Sequence, residues 1–225
     1  PVIFELPQKH FSWKRLSMHT RVVLSTTFAL LLFGTLLLKL TENISWLGAF
    51  FYSVSARTAG FSTYNLGDFS TAGLLVVSGL MFIGASPAST GGGIKTTTFF
   101  VLLSGIYSAA TNHSERAFHS AIPKDAFRKA SVISMLAVFL VMTASYLILI
   151  FDPQLSLRDV LFEMISAFST SGLSTGITSQ LSAQSRILSI IMMYIGRLGP
   201  LTVASLWYFT IGERVRYPEG TIAIG

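Results

Sequence analysis

Thr58-Ala59-Gly60-Phe61-Ser62-Thr63 and Thr170-Ser171-Gly172-Leu173-Ser174-Thr175 are one short pattern written twice, 112 positions apart. Each copy reads as a turn with glycine at its centre. The same offset relates Phe50 to Phe162 upstream, and Met81, Ile83 and Gly84 to Met193, Ile195 and Gly196 downstream, without a gap. The chain therefore reads as one unit built twice.

The 225 residues are 51% hydrophobic and 12% charged, with a mean hydropathy of +0.62, too apolar for a soluble domain of this size. Residues 22–38, 130–151 and 187–196 carry no charge, and a spanning helix needs roughly 20 such residues. An integral membrane protein is expected. Cysteine is absent, which excludes a disulfide framework and a thiolate metal site. No signal peptide is read at the N-terminus, and the sequence is expected to be the C-terminal part of something longer.

The net charge of +6 is placed unevenly. If the segments before Val22, at 111–130 and after Ile211 are cytoplasmic, they hold ten of the sixteen basic residues: Lys9, Lys14, Arg15, Arg21, Arg116, Lys124, Arg128, Lys129, Arg214 and Arg216. The opposite side keeps Lys39, Arg158 and Arg186 against Glu42, Asp68, Asp152, Asp159 and Glu163. Arg57, Lys95 and Arg197 are left at membrane depth.

In chain order, 1–21 is a cytoplasmic or interfacial lead-in, whose His10 and His19 have no ligand cluster around them. A first span runs from Val22 to about Leu40, with Lys39 snorkelling at its end. Ser45 to Arg57 is too short to cross ~30 Å of hydrocarbon at ~1.5 Å per residue. It reads as a half helix entering the membrane and returning through 58–68, a re-entrant loop. Thr71 to Ala110 must break at its middle, where Pro87 and Gly91-Gly92-Gly93 stand. After a cytoplasmic linker at 111–130 the plan recurs: an outward span to Phe151, a half helix capped by Ser156 with Asp159 three residues on and ending near Phe168, and a return span from Ser185 to Ile211 carrying Gly196-Arg197-Leu198-Gly199-Pro200. Both copies enter from one side, so the repeat is parallel. The tail 213–225 is polar. Asn43-Ile44-Ser45 is read as a helix cap rather than a glycosylation acceptor, and Gly91 to Thr96 is not a phosphate loop, because Ile94 separates glycine from lysine.

A half helix aimed into the membrane puts about half an elementary negative charge at the midplane, where a cation is stabilised. The backbone that follows it would present carbonyls able to replace the hydration shell of a cation such as potassium. Arg197 fits either an electrostatic barrier on an ion path or a group satisfying loose carbonyls at the kink. Arg57 is expected in a structural ion pair, with Glu163 as its candidate partner, and Lys95 is expected to mark the cytoplasmic end of the break.

Ser55-Ala56-Arg57-Thr58-Ala59-Gly60-Phe61, Ser89-Thr90-Gly91-Gly92-Gly93-Ile94-Lys95-Thr96 and Gly196-Arg197-Leu198-Gly199-Pro200-Leu201-Thr202 together resemble the third and fourth repeats of the Trk/Ktr/HKT superfamily of cation transporters, closest to its Ktr-type membrane subunits. The resemblance covers the chain from Val22 onward. It implies four membrane-pore-membrane repeats around one pore, the third here at 22–110 and the fourth at 131–212, each giving a glycine to a selectivity filter. The filter segments would be Thr58, Ala59, Gly60, Phe61 and Thr170, Ser171, Gly172, Leu173, with potassium at their backbone carbonyls. Gly84, Ser86, Pro87, Gly91, Gly92, Gly93 and Lys95 would belong to an intramembrane gate faced by Arg197. The resemblance also implies a homodimer of membrane subunits, embedded in the lipid of a bacterial plasma membrane. That dimer would rest on a cytosolic ring of nucleotide-binding regulatory subunits, docked on 111–130 and the tail. The first two repeats would be missing from this stretch, which alone would not close a pore.

The expectation is an all-α membrane protein forming half of a four-repeat pore. It would take up potassium down its electrochemical gradient, with sodium as a candidate second ion or symported partner. No organic cofactor, nucleic acid or covalent chemistry is expected. The alternative is a secondary transporter with discontinuous helices, binding an organic substrate and a coupling ion at 84–96. A parallel repeat and the lack of a mid-membrane carboxylate argue against it. A membrane anchor would leave Arg197 and the paired half helices unexplained.

Overall fold

Ser17, Ser45, Ser70, Ser156 and Ser182 each turn the chain into a helix. In the computed structural model each has extended backbone, and its hydroxyl accepts the N–H three residues on, from Thr20, Gly48, Gly73, Asp159 and Ser185 in turn. The structure describes residues 13–87, 89–111, 116–118 and 120–199, with Val2, Glu5 and Thr202. His10, Lys9, Arg214, Arg216, Pro200, Leu201 and the tail 213–225 lie outside the described residues.

The elements are α1 Met18–Thr41, α2 Trp46–Ser55, α3 Thr71–Phe82, α4 Thr96–Thr111, β1 Arg116–Ala117, β2 Ser120–Ala121, α5 Lys124–Phe151, α6 Leu157–Ser169 and α7 Ala183–Leu198. The two short strands form an antiparallel hairpin, Arg116 opposite Ala121, so the fold is helical apart from this one corner among the described residues. The expected short helices, the break inside 71–110 and the cap at Ser156 are all present. The linker is not wholly a loop: Pro123 stands at the N-cap of α5 with Asp125 in its first turn, and the helix takes in 124–130 because that turn suits proline and acid. The second return span is interrupted within the stretch Gly196 to Pro200 where the sequence expects a kink. It closes at Leu198, where Gly199 caps it at φ 90°.

Among the described residues, Met18–Thr41 and Asp125–Phe151 are long and apolar enough to cross a membrane. The outward face of α5 supports that use. Val132, Met135, Phe139, Met142, Tyr146 and Ile150 recur at helical spacing and are all exposed, a stripe that water would not tolerate.

The interior forms two main clusters. One gathers Leu38, Tyr52, Leu66, Phe69, Leu74 and Met81 from the first half, with Phe162 and Leu173 reaching in from the second. The other gathers Ala137, Val141, Ile148, Val160, Met164, Phe168 and Met192, with Ile94 from the first half. Each half thus lends apolar side chains to the other's core.

An acid just past the first long helix of each half ties it to the third. The Glu42 carboxylate accepts from the N–H and hydroxyl of Ser70, at 2.9 and 2.6 Å. The Asp152 carboxylate accepts from the N–H of Ser182 at 3.0 Å. Ser70 and Ser182 are 112 positions apart, and both open a helix whose N-terminal dipole favours a carboxylate. Lys39, near the end of α1, donates its Nζ to the Ile44 carbonyl at 2.7 Å, which the tight turn into α2 brings within reach.

Hydrogen bonds from the Ser185 side chain, then from the Ser182 backbone, hold the Asp152 carboxyl below the usual aspartate range. A folded-state value lower than the unfolded one means stability that is present at neutral pH and lost as pH falls through the folded value. Asp152→Asn should therefore lower Tm at neutral pH and flatten its fall on acidification, read from melting curves of the detergent-solubilised protein. Glu42→Ala, which strips two donors of their acceptor, should cost about 1–3 kcal/mol in the same assay.

Candidate functional site

Past the end of each short helix comes a left-handed residue followed, two positions on, by a left-handed glycine: Thr58, three residues beyond α2, and Gly60 at φ 72° and 76°, Thr170, the C-cap of α6, and Gly172 at φ 54° and 87°. Glycine adopts that backbone freely and threonine does not, at a cost of about 1–2 kcal/mol. The strain recurs at both equivalent threonines, so the surroundings hold it there twice.

At the first turn Ser55 grips the chain from both sides. Its carbonyl accepts from the N–H groups of Ala59 and Gly60, at 3.1 and 3.0 Å, and its hydroxyl donates to the Phe61 carbonyl. The Phe61 oxygen is thereby partly engaged, while the Phe61 ring is 70% exposed. At the second turn the N–H groups of Thr170 and Ser171 bond to Ala167 and Ser166, and Leu173 is buried in the first cluster.

The two turns meet. A Cβ on Gly60 would overlap the Ser171 carbonyl, and the Ser171 hydroxyl donates to the Ala56 carbonyl at 3.2 Å. Residues 84–93 lie against both. Their ends are pinned together, Ile83 bridging Ile94 and the Ile94 N–H donating to the Phe82 carbonyl at 3.0 Å. This makes the break a closed side loop rather than a gap between helices. Gly92 N–H donates to the Thr170 hydroxyl at 2.9 Å, and Gly91 packs on the Thr58 side chain. Gly84 lies against the Gly92 carbonyl, Gly93 turns at φ 74°, and Pro87 is half-buried. Ser86 and Thr96 stand 3.5 Å apart through their hydroxyls, and Lys95 Nζ donates to the Gly91 carbonyl. Lys95 therefore closes the loop on itself.

Arg197 is exposed on the last turn of α7, close enough for its charge to act on Lys95. Gly196, one residue earlier, presses its backbone onto the Phe168 carbonyl at the end of α6. The expected pairing of Arg57 with Glu163 is absent. Arg57 reaches the Gly84 carbonyl at 3.5 Å, whereas the Glu163 carboxylate accepts from the Ser174 hydroxyl and, at 2.8 Å, from Thr178. The reason is position. Arg57 follows the end of its helix, while Glu163 sits within the other, on the side facing its own returning strand. Glu163, Thr170, Gly172 and Ser174 line a cavity of about 320 Å³ between α6 and α7.

The structure brings the two turns and the loop glycines into contact, Gly60 at Ser171, Gly91 at Thr58 and Gly92 at Thr170, while the bonding of Ser55, Ser174 and Thr178 was not among the expectations. Ser55 and Ser174 stand in the quoted motifs with no role assigned to them, and Thr178 has no signal beyond being a hydroxyl near a turn. What the arrangement offers chemically is a concentration of backbone carbonyls and hydroxyls beside two helix ends.

Comparison with known proteins places these features in context. Residues 13–210 match the family model of TrkH, described as a cation transport protein. The chain is 37% identical over 226 residues to Ktr system potassium uptake protein B of Vibrio alginolyticus, covering 93% of this chain and 49% of that protein. It is 35% identical to Ktr system potassium uptake protein D of Bacillus subtilis, covering all of this chain and 53% of that one. It is 31% identical to the potassium/sodium uptake protein NtpJ of Enterococcus hirae, covering 94% and 51%. The chain thus spans about half the length of the curated relatives it matches. Its fold is similar to the crystal structure of the potassium transporter TrkH from Vibrio parahaemolyticus, with a TM-score of 0.72 at 17% identity over 92% of this chain and 48% of that one.

Gly196→Val should destabilise the protein by about 1–3 kcal/mol, since α6 and α7 must part to admit the side chain. Gly79→Ala, on an open face of α3 with nothing near, should instead stabilise by about 0.5–1 kcal/mol. Paired thermal melts in detergent check both signs.

Proposed function

The chain belongs to the TrkH family of cation transport proteins, and from that premise we propose that it forms half of a potassium-uptake pore in the plasma membrane. Two parallel membrane-pore-membrane repeats, at 22–110 and 131–212, each give one re-entrant turn to the selectivity filter. The other two turns come from the part of the transporter that this stretch does not cover. The observation that carries the reading is the meeting of two turns with the same alternation of left-handed threonine and glycine, each at the C-terminal end of a short helix. Such ends concentrate carbonyl oxygens and negative dipole where a dehydrated cation needs them.

In this reading Thr58, Ala59, Gly60, Thr170, Ser171 and Gly172 supply filter carbonyls, with Phe61 and Leu173 completing the segments. The loop 84–93 lies directly inside the filter and blocks the path as its gate, and Arg197 adds a positive barrier beside it. The Enterococcus relative is named for both ions, which supports sodium as a second ion. The relatives' names describe cation uptake, so the organic-substrate alternative is not carried forward. A second copy of the subunit and a cytosolic nucleotide-binding ring complete the assembly, the ring facing the hairpin at 116–121.

Potassium uptake by the full-length transporter, in cells lacking their own uptake systems and with sodium as competitor, tests this. Gly172 has open space around it, so Gly172→Ser should insert and lose several-fold of its preference for potassium. Gly60→Ser, jammed against Ser171, should lose uptake outright. Unchanged preference in an inserted Gly172→Ser protein would overturn the filter assignment. Arg197→Ala should raise flux about tenfold, the effect of removing a barrier of about 1.4 kcal/mol; level flux would leave Arg197 a helix-end residue only.

A further inference from the structure

Tyr52 lies in α2 three residues before Ser55 and is wholly buried, at 0% exposure. Its ring packs on those of Phe69 and Tyr64, with centroids 5.3 and 6.2 Å apart. Its hydroxyl accepts from the N–H of Tyr64 at 2.8 Å and of Thr63 at 3.2 Å. It also stands 2.7 Å from the Tyr64 carbonyl and 2.9 Å from the Ser62 hydroxyl, its one hydrogen serving either. A phenol can do no more than accept twice and donate once. Every bonding capacity of this group is spent on the chain that leaves the first turn.

Positions 52 and 55 share one helix face. The Ser55 hydroxyl holds Phe61 at the inner end of the returning segment, and the Tyr52 hydroxyl holds 62–64 at its outer end. The second turn is held differently. The position 112 beyond Tyr52 is Met164, buried and without a donor. Ser174, the counterpart of Ser62, donates instead to the Glu163 carboxylate. Tyr52 therefore has no twin, and the outer tether of the first turn rests on its hydroxyl.

We propose that Tyr52 is the positioning residue of the first turn, fixing the returning segment 62–64 and through it the aim of the 58–61 carbonyls and the ion preference of the pore. This rests on the filter reading above. Residues 62–64 are exposed, so water can take over the freed N–H groups when the hydroxyl is removed. What is lost is a fixed geometry, not the fold.

The test is Tyr52→Phe in the full-length transporter, beside Gly172→Ser and a Tyr64→Phe control that removes only a hydroxyl. Two readouts are taken: the potassium-over-sodium preference of uptake, and amide hydrogen exchange at Thr63 and Tyr64 in detergent. The expected result is faster exchange at those two amides and a preference reduced by about tenfold, equivalent to about 1.4 kcal/mol of lost positioning, with Tyr64→Phe unchanged. If Tyr52→Phe fails to insert, Ser62→Ala, which removes one partner of the same hydroxyl, should shift preference in the same direction by less. Unaltered preference in Tyr52→Phe and Ser62→Ala while Gly172→Ser alters it would overturn the positioning role and leave the filter reading standing. Unaltered preference in all of them would overturn both.

Discussion

Backbone N–H and C=O groups at the end of a helix have no partner within that helix, and in a surrounding without water each must find one elsewhere. The rest of this structure depends on how that is done for two helices too short to cross a bilayer. Their N-termini are closed by Ser45 and Ser156. Their C-termini are closed by the chain doubling back, so that Ser55, Ala167 and Ser166 accept from the turn residues just beyond them. The turns are tight because those carbonyls need donors, and strained at Thr58 and Thr170 because they are tight.

The same requirement explains what packs around the turns. The loop at 84–93 brings a Gly92 N–H to the Thr170 hydroxyl and folds its own lysine back onto Gly91. Its glycines let backbone lie on backbone where side chains would hold the parts away. Gly196 does likewise against the end of α6. Away from the turns, Glu42 and Asp152 do by charge what the serines do by hydroxyl, each sealing the start of a third helix.

Most of the helical frame was legible in the sequence, because spacing, capping serines and helix-breaking residues act locally. The half helix from Ser156 to Phe168 and the break after Phe82 needed nothing else. The 112-residue offset marked the two turns as equivalent before any coordinates, and their contact is a finding of the structure. What was not legible depends on side-chain direction. Arg57 and Glu163 have opposite charges, yet they belong to different ends and faces of their helices, which composition does not record. The carbonyl that Lys39 meets, Ile44, was not legible, because it comes from a turn whose path the sequence leaves open. Glu42 and Asp152 looked like ordinary surface acids, since their partners lie 28 and 30 residues away.

The pinned neck of the 84–93 loop has an evolutionary consequence. Because Ile83 and Ile94 are already joined, residues added or removed between them alter neither the path of α3 nor that of α4, and the entropic charge for a longer excursion rises only slowly. Only the contacts of Gly91 and Gly92 with the two turns tie the length of this insert to the rest of the scaffold. Its size can therefore vary without disturbing the two helices that carry it, within the limit set by its contacts to Thr58 and Thr170.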